Sequence, residues 1–266
     1  MLFNKKNTGT EGKMDIDLHK NEKTAPDTTN IAKRSITEMI LDASGSVKPY
    51  KSLIESALLT IISTLKNDPY AEQSSEIGLI TFNTTAQEVY PIKELYNQPQ
   101  ETFALNAEGL TNTGEAVLMA LDRIDQRKAE LRKEGISVYK PQILAIVTDG
   151  SPYFGSKDNT TPEFKKQCAD QLEKAYDEIS RRVNAGELRV LALGVGDDAD
   201  DEILDKLSGG MGGLHIDSGL DLAAFFKVVS DTISSQSRGK KLPTNEEALR
   251  KMTPAQRRAF RNSKED

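Results

Sequence analysis

Asp42, Ser44 and Ser46 occupy alternate positions directly after an apolar run, Ile36–Leu41. Far along the chain, Thr111 sits in Gly109-Leu110-Thr111-Asn112-Thr113-Gly114, and Asp149 follows the apolar run Gln142–Thr148. Together these stretches offer two carboxylates and three or four hydroxyls, with no sulfur and no imidazole. An all-oxygen set of this kind suits a hard divalent cation, Mg²⁺ first and then Mn²⁺ or Ca²⁺. In an Asp-x-Ser-x-Ser turn, alternate side chains aim at one point, and Gly45 is expected to let the chain curl tightly between the two serines. Each residue also has a plain structural use, because Asp or Ser after a strand commonly caps a helix or closes a turn. The five residues carry chemistry only if the fold brings them to one edge.

The elements that must position them alternate between strand and helix. Strands are expected at Ile36–Leu41, Glu76–Phe82, Gln142–Thr148, Leu188–Val195 and Leu214–Asp217, with Gln87–Pro91 as a short antiparallel edge strand. Helical spacing marks Lys48–Leu65, Thr113–Arg132, Pro162–Asn184, Asp200–Leu207 and Leu220–Ser234. Continuous apolar runs such as Ile143-Leu144-Ala145-Ile146-Val147 have no polar face, so both sides of the strand must be covered. The expected architecture is α/β: a three-layer, Rossmann-like, doubly wound sheet, mostly parallel with one antiparallel edge strand. Ligands of such sheets bind beyond the carboxyl ends of the strands, where Asp42, Thr111 and Asp149 are expected.

Charge divides the chain. Residues 1–34 carry a net +2, residues 238–266 a net +5, and residues 35–237 a net −13 within a total of −6. The ends read as a disordered polar tail (1–34) and a basic helical tail (238–266), with one domain at 35–237. Thr253 and Pro254 signal a helix start in the last segment, and Arg257, Arg258 and Arg261 share a face that could dock on an acidic surface. An acidic body disfavours nucleic acid as a ligand. The single Cys168 excludes an intrachain disulfide, a CxxC pair and a cysteine-based zinc site, and the two histidines leave little for a His-ligated metal or a Ser-His-Asp triad. No apolar run is long enough to span a bilayer, and the N-terminus lacks a signal-peptide core. A soluble, cytoplasmic protein is the expectation.

In this setting the sequence resembles the von Willebrand factor type A (VWA) domain family over about residues 35–237. The family's metal-ion-dependent adhesion site (MIDAS) follows the pattern DxSxS, a distant Thr, then a distant Asp, matched here by Asp42, Ser44, Ser46, Thr111 and Asp149. Gly109–Ala116, Ile146–Gly150, Leu193–Gly196 and Asp221–Phe226 also fit, and the last is similar to the bacterial branch found with tellurite-resistance gene clusters. The resemblance implies that Ser44, Ser46 and, in one state, Thr111 bind the ion directly while Asp42 and Asp149 act mostly through water. It also implies a non-catalytic scaffold or adaptor in a stress-response or phage-defence system, with a kinase and a phosphatase of the same gene cluster as possible partners. A cation held by neutral hydroxyls is poorly neutralised, so an Asp or Glu carboxylate of a partner protein would supply both the missing oxygen and the missing charge.

Two other functions stay open: Mg²⁺-dependent phosphoryl transfer with Asp42 as nucleophile, and a metal-free interaction domain. The first usually needs an acid two residues on, where this chain has Ser44. Elsewhere, Asp197, Asp198, Asp200, Asp201 and Glu202 read first as a cap and acids against a helix N-terminus, and second as a further cation site. Gly209–Gly213 lacks the Lys-Ser/Thr sequel of a phosphate loop and reads as a turn. Thr113 is expected to cap its helix, His215 to lie in the core or at its rim, and Cys168 to be unreactive. Tyr153 and Phe154 could either frame a partner pocket or pack beneath the Asp149 loop.

Overall fold

The computed structural model describes residues 33–97, 104–149, 152–156, 160–196, 199–216 and 219–242, with the backbone alone at 96, 215, 216 and 219–221. The expectations for residues 1–32, for the helices at 244–251 and 253–262, and for Asp197 and Asp198 lie outside the described residues.

Among the described residues seven strands form the sheet: β1 (Lys33–Asp42), β2 (Ser75–Phe82), β3 (Ala86–Glu94), β4 (Ser137–Val138), β5 (Gln142–Thr148), β6 (Leu188–Val195) and β7 (Leu214–Ile216). Their order is β3-β2-β1-β5-β6-β7, with the short β4 beside the start of β1. Only β3 runs antiparallel, against β2. Among the described residues six helices cover the two faces: α1 (Lys51–Lys66), α2 (Pro69–Ser74), α3 (Thr113–Lys133), α4 (Pro162–Asn184), α5 (Asp201–Leu207) and α6 (Gly219–Ser237). The fold is the mostly parallel, helix-sandwiched α/β sheet that the apolar runs require.

Alternation along β1 divides the core. Met39 and Leu41 join Ile54, Leu58, Phe225 and Val229 on the α1–α6 side, while Ile36 and Ile40 join Val117, Leu121, Ile146 and Ile179 on the α3–α4 side. Each large aliphatic side chain buried this way contributes about 1.5–3 kcal/mol. Gly114 sets the fit of the second layer: a Cβ there would come 2.5 Å from the backbone nitrogen of Leu172, so α3 and α4 cross with backbones nearly touching.

The sequence expectations differ from the structure at several local points. The helix expected from Lys48 is instead a 3₁₀ turn, Gly45–Tyr50, followed by α1. Pro49 lacks an N–H and disfavours helical geometry in the residue before it, which delays the α-helix. α2 and β4 were not expected. α2 begins with Asp68 accepting the Tyr70 N–H at 3.1 Å and Pro69 at the first position. The edge strand runs nine residues, longer than Gln87–Pro91, and a register shift near Leu79 interrupts its pairing. α6 continues to Ser237, where side chains fasten its end. The Ser35 hydroxyl donates to Gln236, the Gln236 amide donates to the Pro141 carbonyl at 2.6 Å, and the Ser237 and Ser75 hydroxyls lie 2.9 Å apart.

Candidate functional site

Parallel pairing brings the ends of β1 and β5 level. Leu41 is registered with Val147, so Asp42 and Thr148 are the next pair along, and the Thr148 hydroxyl donates to the Asp42 carboxyl at 2.7 Å. The Ser44 N–H donates to the other oxygen of Asp42 at 2.8 Å, turning the chain back over the strand end. The Ser44 and Ser46 hydroxyl oxygens lie 3.1 Å apart, the first buried and the second exposed. The expectation that the freedom of Gly45 lets the chain curl between the two serines is corrected. Its φ is not positive, and the nearest atom to an added Cβ would be 3.9 Å away, so a side chain would fit.

The segment carrying Thr111 is laced to the same turn. The Glu108 N–H donates to the Ala43 carbonyl at 2.9 Å, and the Gly45 N–H donates to the Gly109 carbonyl at 3.4 Å. Gly109 is the residue here that must be glycine: its φ is +85°, and a Cβ would lie 2.7 Å from the Thr84 hydroxyl. Thr111 and Tyr153 exchange both backbone hydrogen bonds, at 2.9 and 3.2 Å, which ties this segment to the loop after Asp149. Asp42, Ser44, Thr111 and Asp149 are all buried beneath this weave, and Ser46 stands at its rim.

The electrostatics are unbalanced. Burial above all, and then the Asp149 carboxylate, push the Asp42 carboxyl up to about 7, against the pull of its bonds to Ser44 and Thr148. Its hydrogen-bond partners are all neutral.

Beside this point a cavity of about 460 Å³ opens between β2, β3 and the segment before Thr111, lined by Ala43, Asn83, Thr85, Tyr90 and Asn106 among others. Sequence reasoning missed Thr148, Asn83 and Asn106. The polar run Asn83-Thr84-Thr85 after an apolar strand was the available signal for one of them.

Other candidates resolve separately. Asn112, not Thr113, precedes the first turn of α3, and it makes no side-chain cap bond. The buried Thr113 hydroxyl has no hydrogen-bond partner, while Asn112 donates to Glu115 at 3.1 Å. Asp200 caps α5 by accepting from the N–H groups of Glu202 and Ile203, as the plainer reading expects. Among the described residues no group of three or more His, Cys, Asp or Glu could hold a metal. Tyr153 is 52% exposed, whereas Phe154 is partly buried. Cys168 is buried in α4, and burial pushes its thiol up, away from the reactive thiolate form. Among the described residues no helix is long and apolar enough to cross a membrane.

A mostly parallel sheet flanked by helices, with one antiparallel pair, is an α/β fold of the Rossmann-like type. The sequence matches the von Willebrand factor type A domain over residues 39–232, and the chain belongs to that family. No curated protein matches it. Among solved structures it is similar to the pilus adhesin SpaC from Lactobacillus rhamnosus GG in its open conformation (TM-score 0.56, 13% identity, covering 77% of this chain and 30% of that one). It is also similar to a mutant of the PilB minor pilin from Streptococcus sanguinis (TM-score 0.54, 12% identity, 79% and 64% covered). A third is a von Willebrand factor type A protein from Catenulispora acidiphila (TM-score 0.50, 17% identity, 76% and 43% covered). The chain spans less than two thirds of the length of each, and at these identities the likeness is one of fold.

Proposed function

We propose that this protein is a metal-dependent protein-binding module with a MIDAS-type site formed by Asp42, Ser44, Ser46, Thr111 and Asp149. One observation carries the reading: Asp42 is buried next to Asp149, with hydroxyls and an N–H as its other partners. Two close buried carboxylates repel, and a cation between them relieves that repulsion without a proton on either. The oxygen-only donors fit a hard divalent ion, with Mg²⁺ preferred over Mn²⁺ and Ca²⁺. Ser44, Ser46 and Thr111 would hold it, and the two carboxylates would balance part of its charge. The ion supplies Lewis acidity toward an incoming carboxylate; the chain's own contribution is to hold neutral hydroxyls there, so that charge is left for an Asp or Glu of a partner protein.

The reading extends to a non-catalytic, cytoplasmic scaffold or adaptor in a bacterial stress-response or defence system of the tellurite-resistance kind, beside a kinase and a phosphatase. The Asp221–Phe226 stretch motivates that extension. Phosphoryl transfer through Asp42 is less favoured, because Ser44, at the position of the needed acid, is a hydroxyl bonded toward Ser46.

Calorimetric titration with Mg²⁺ and Mn²⁺ tests the site, with saturable binding expected that Asp42→Ala removes. Capture of a partner should then fail in EDTA and with Asp42→Ala. Capture indifferent to both would refute the metal-dependent reading, and turnover of an aryl phosphate would favour the enzyme.

A further inference from the structure

We propose that a second ligand site, for a phosphate monoester with an apolar body, lies at the opposite, amino-terminal edge of the sheet. A depression of about 350 Å³ opens there between the end of α3 and the β4–β5 connection, lined in part by Lys128, Arg132, Lys140, Ile136, Val138 and Gln142. None of its lining residues is acidic, although residues 35–237 carry a net −13.

The cations around it are under-compensated. Among the described residues no carboxylate lies within ion-pair distance of Arg132. Lys128 meets Asp125 at 3.2 Å, but Asp125 is already held by both guanidinium nitrogens of Arg182 at 2.7 and 3.1 Å. Lys140 is 3.7 Å from Glu187, which Arg181 also approaches at 3.9 Å. Glu178 holds both Arg181 and Arg182, at 2.7 and 2.9 Å, so Asp125 and Glu187 are only partly drawn away from the two lysines, and the cation here with no described carboxylate partner is Arg132.

These cations are also not needed to cap α3. The carbonyls of Glu130, Leu131 and Arg132 already accept from the N–H groups of Glu134, Ile136 and Gly135, at 3.1, 2.8 and 3.1 Å. A guanidinium with two flanking ammonium groups matches the charge and fork geometry of a phosphate dianion. The space is much larger than a bare ion requires, and partly buried Ile136 and Val138 give it an apolar wall. It sits at the low end of the range of cavities that hold small organic ligands. The site is independent of the metal reading, since it shares no residue with Asp42 or its neighbours.

The test is titration at low salt with phenyl phosphate, inorganic phosphate and benzyl alcohol, followed by calorimetry and by amide chemical shifts. Phenyl phosphate should bind saturably, at least about fivefold more tightly than inorganic phosphate, with shifts centred on residues 135–138 and none from benzyl alcohol. Arg132→Glu and Lys140→Glu should each weaken it at least about tenfold, and Lys227→Glu, the same charge change on α6, should leave it unchanged. All three side chains are exposed, and matching thermal melts would show that the variants fold. Failure of phenyl phosphate to saturate, wild-type affinity in Arg132→Glu, or equal weakening by Lys227→Glu would each overturn the proposal.

Discussion

The two edges of the sheet bury charge in opposite ways. At the amino-terminal edge Glu76 is fully buried, yet Arg127 holds both its oxygens, at 2.7 and 3.0 Å, and Arg34 approaches at 3.7 Å. At the carboxyl edge Asp42 is equally buried, but it meets two neutral donors and a second carboxylate. Burial alone therefore does not separate a structural charge from a functional one; what separates them is whether the protein supplies the counter-charge. Glu76 has its counter-charge within the chain, whereas the hydrogen bonds that Asp42 accepts come from neutral groups.

Breaking the Glu76–Arg127 pair should have the largest effect. Arg127→Leu leaves Glu76 buried with only the more distant Arg34, and should lower the unfolding free energy by about 3–5 kcal/mol in a denaturant titration. A smaller result would place Glu76 with the uncompensated charges instead.

Glu38 offers a second test between the edges. It is buried in mid-strand with one oxygen lacking a hydrogen-bond partner, and burial, then Glu88, raise its carboxyl well above the ordinary 4.5, against the pull of Arg123. The native state keeps a proton that the unfolded chain loses above that value. Stability from this group is therefore full in acid and declines as pH rises from about 4.5 toward the raised native value. Glu38→Gln should raise stability by about 1–2 kcal/mol at pH 7–8, with the gain disappearing at pH 4.

At the carboxyl edge, Asp149→Asn removes the like charge facing Asp42. In chelator the variant should be more stable than wild type by about 1 kcal/mol, while the thermal stabilisation by Mg²⁺ should vanish. Stabilisation by Mg²⁺ that persists in this variant would count against the paired carboxylates as its cause. The smallest effect belongs to the rim. Tyr153→Ala should change stability by less than about 0.5 kcal/mol, because the exposed ring leaves the backbone bonds to Thr111 intact.

These contrasts also mark what the sequence can carry. Ile143–Val147 announces a strand covered on both faces because five consecutive apolar side chains leave no face for water, and β5 runs as read. Asp42, Ser44 and Asp149 could be placed on one edge because parallel strands share an end. β4 could not be read, since two residues have no period, and α2 was signalled only by the Asp68-Pro69 pair. The turn at Gly45 misled because glycine tolerates ordinary backbone as well as left-handed backbone, and here it adopts the former. The Glu76–Arg127 pair spans 51 residues, and the Thr148–Asp42 bond spans 106; neither separation leaves a local trace. The raised proton affinity of Asp42 depends on that same tertiary neighbourhood, so the composition of the motif could not disclose it.

The exchange of backbone bonds between Thr111 and Tyr153 has an optical consequence. The protein has seven tyrosines and no tryptophan, so phenol emission is not masked by indole. Tyr153 rides on the same short ribbon as the buried Thr111, with its own ring exposed to water. A fluorinated tyrosine at that position would turn the ribbon into a built-in gauge of any change in the segment that carries Thr111, without any attached dye.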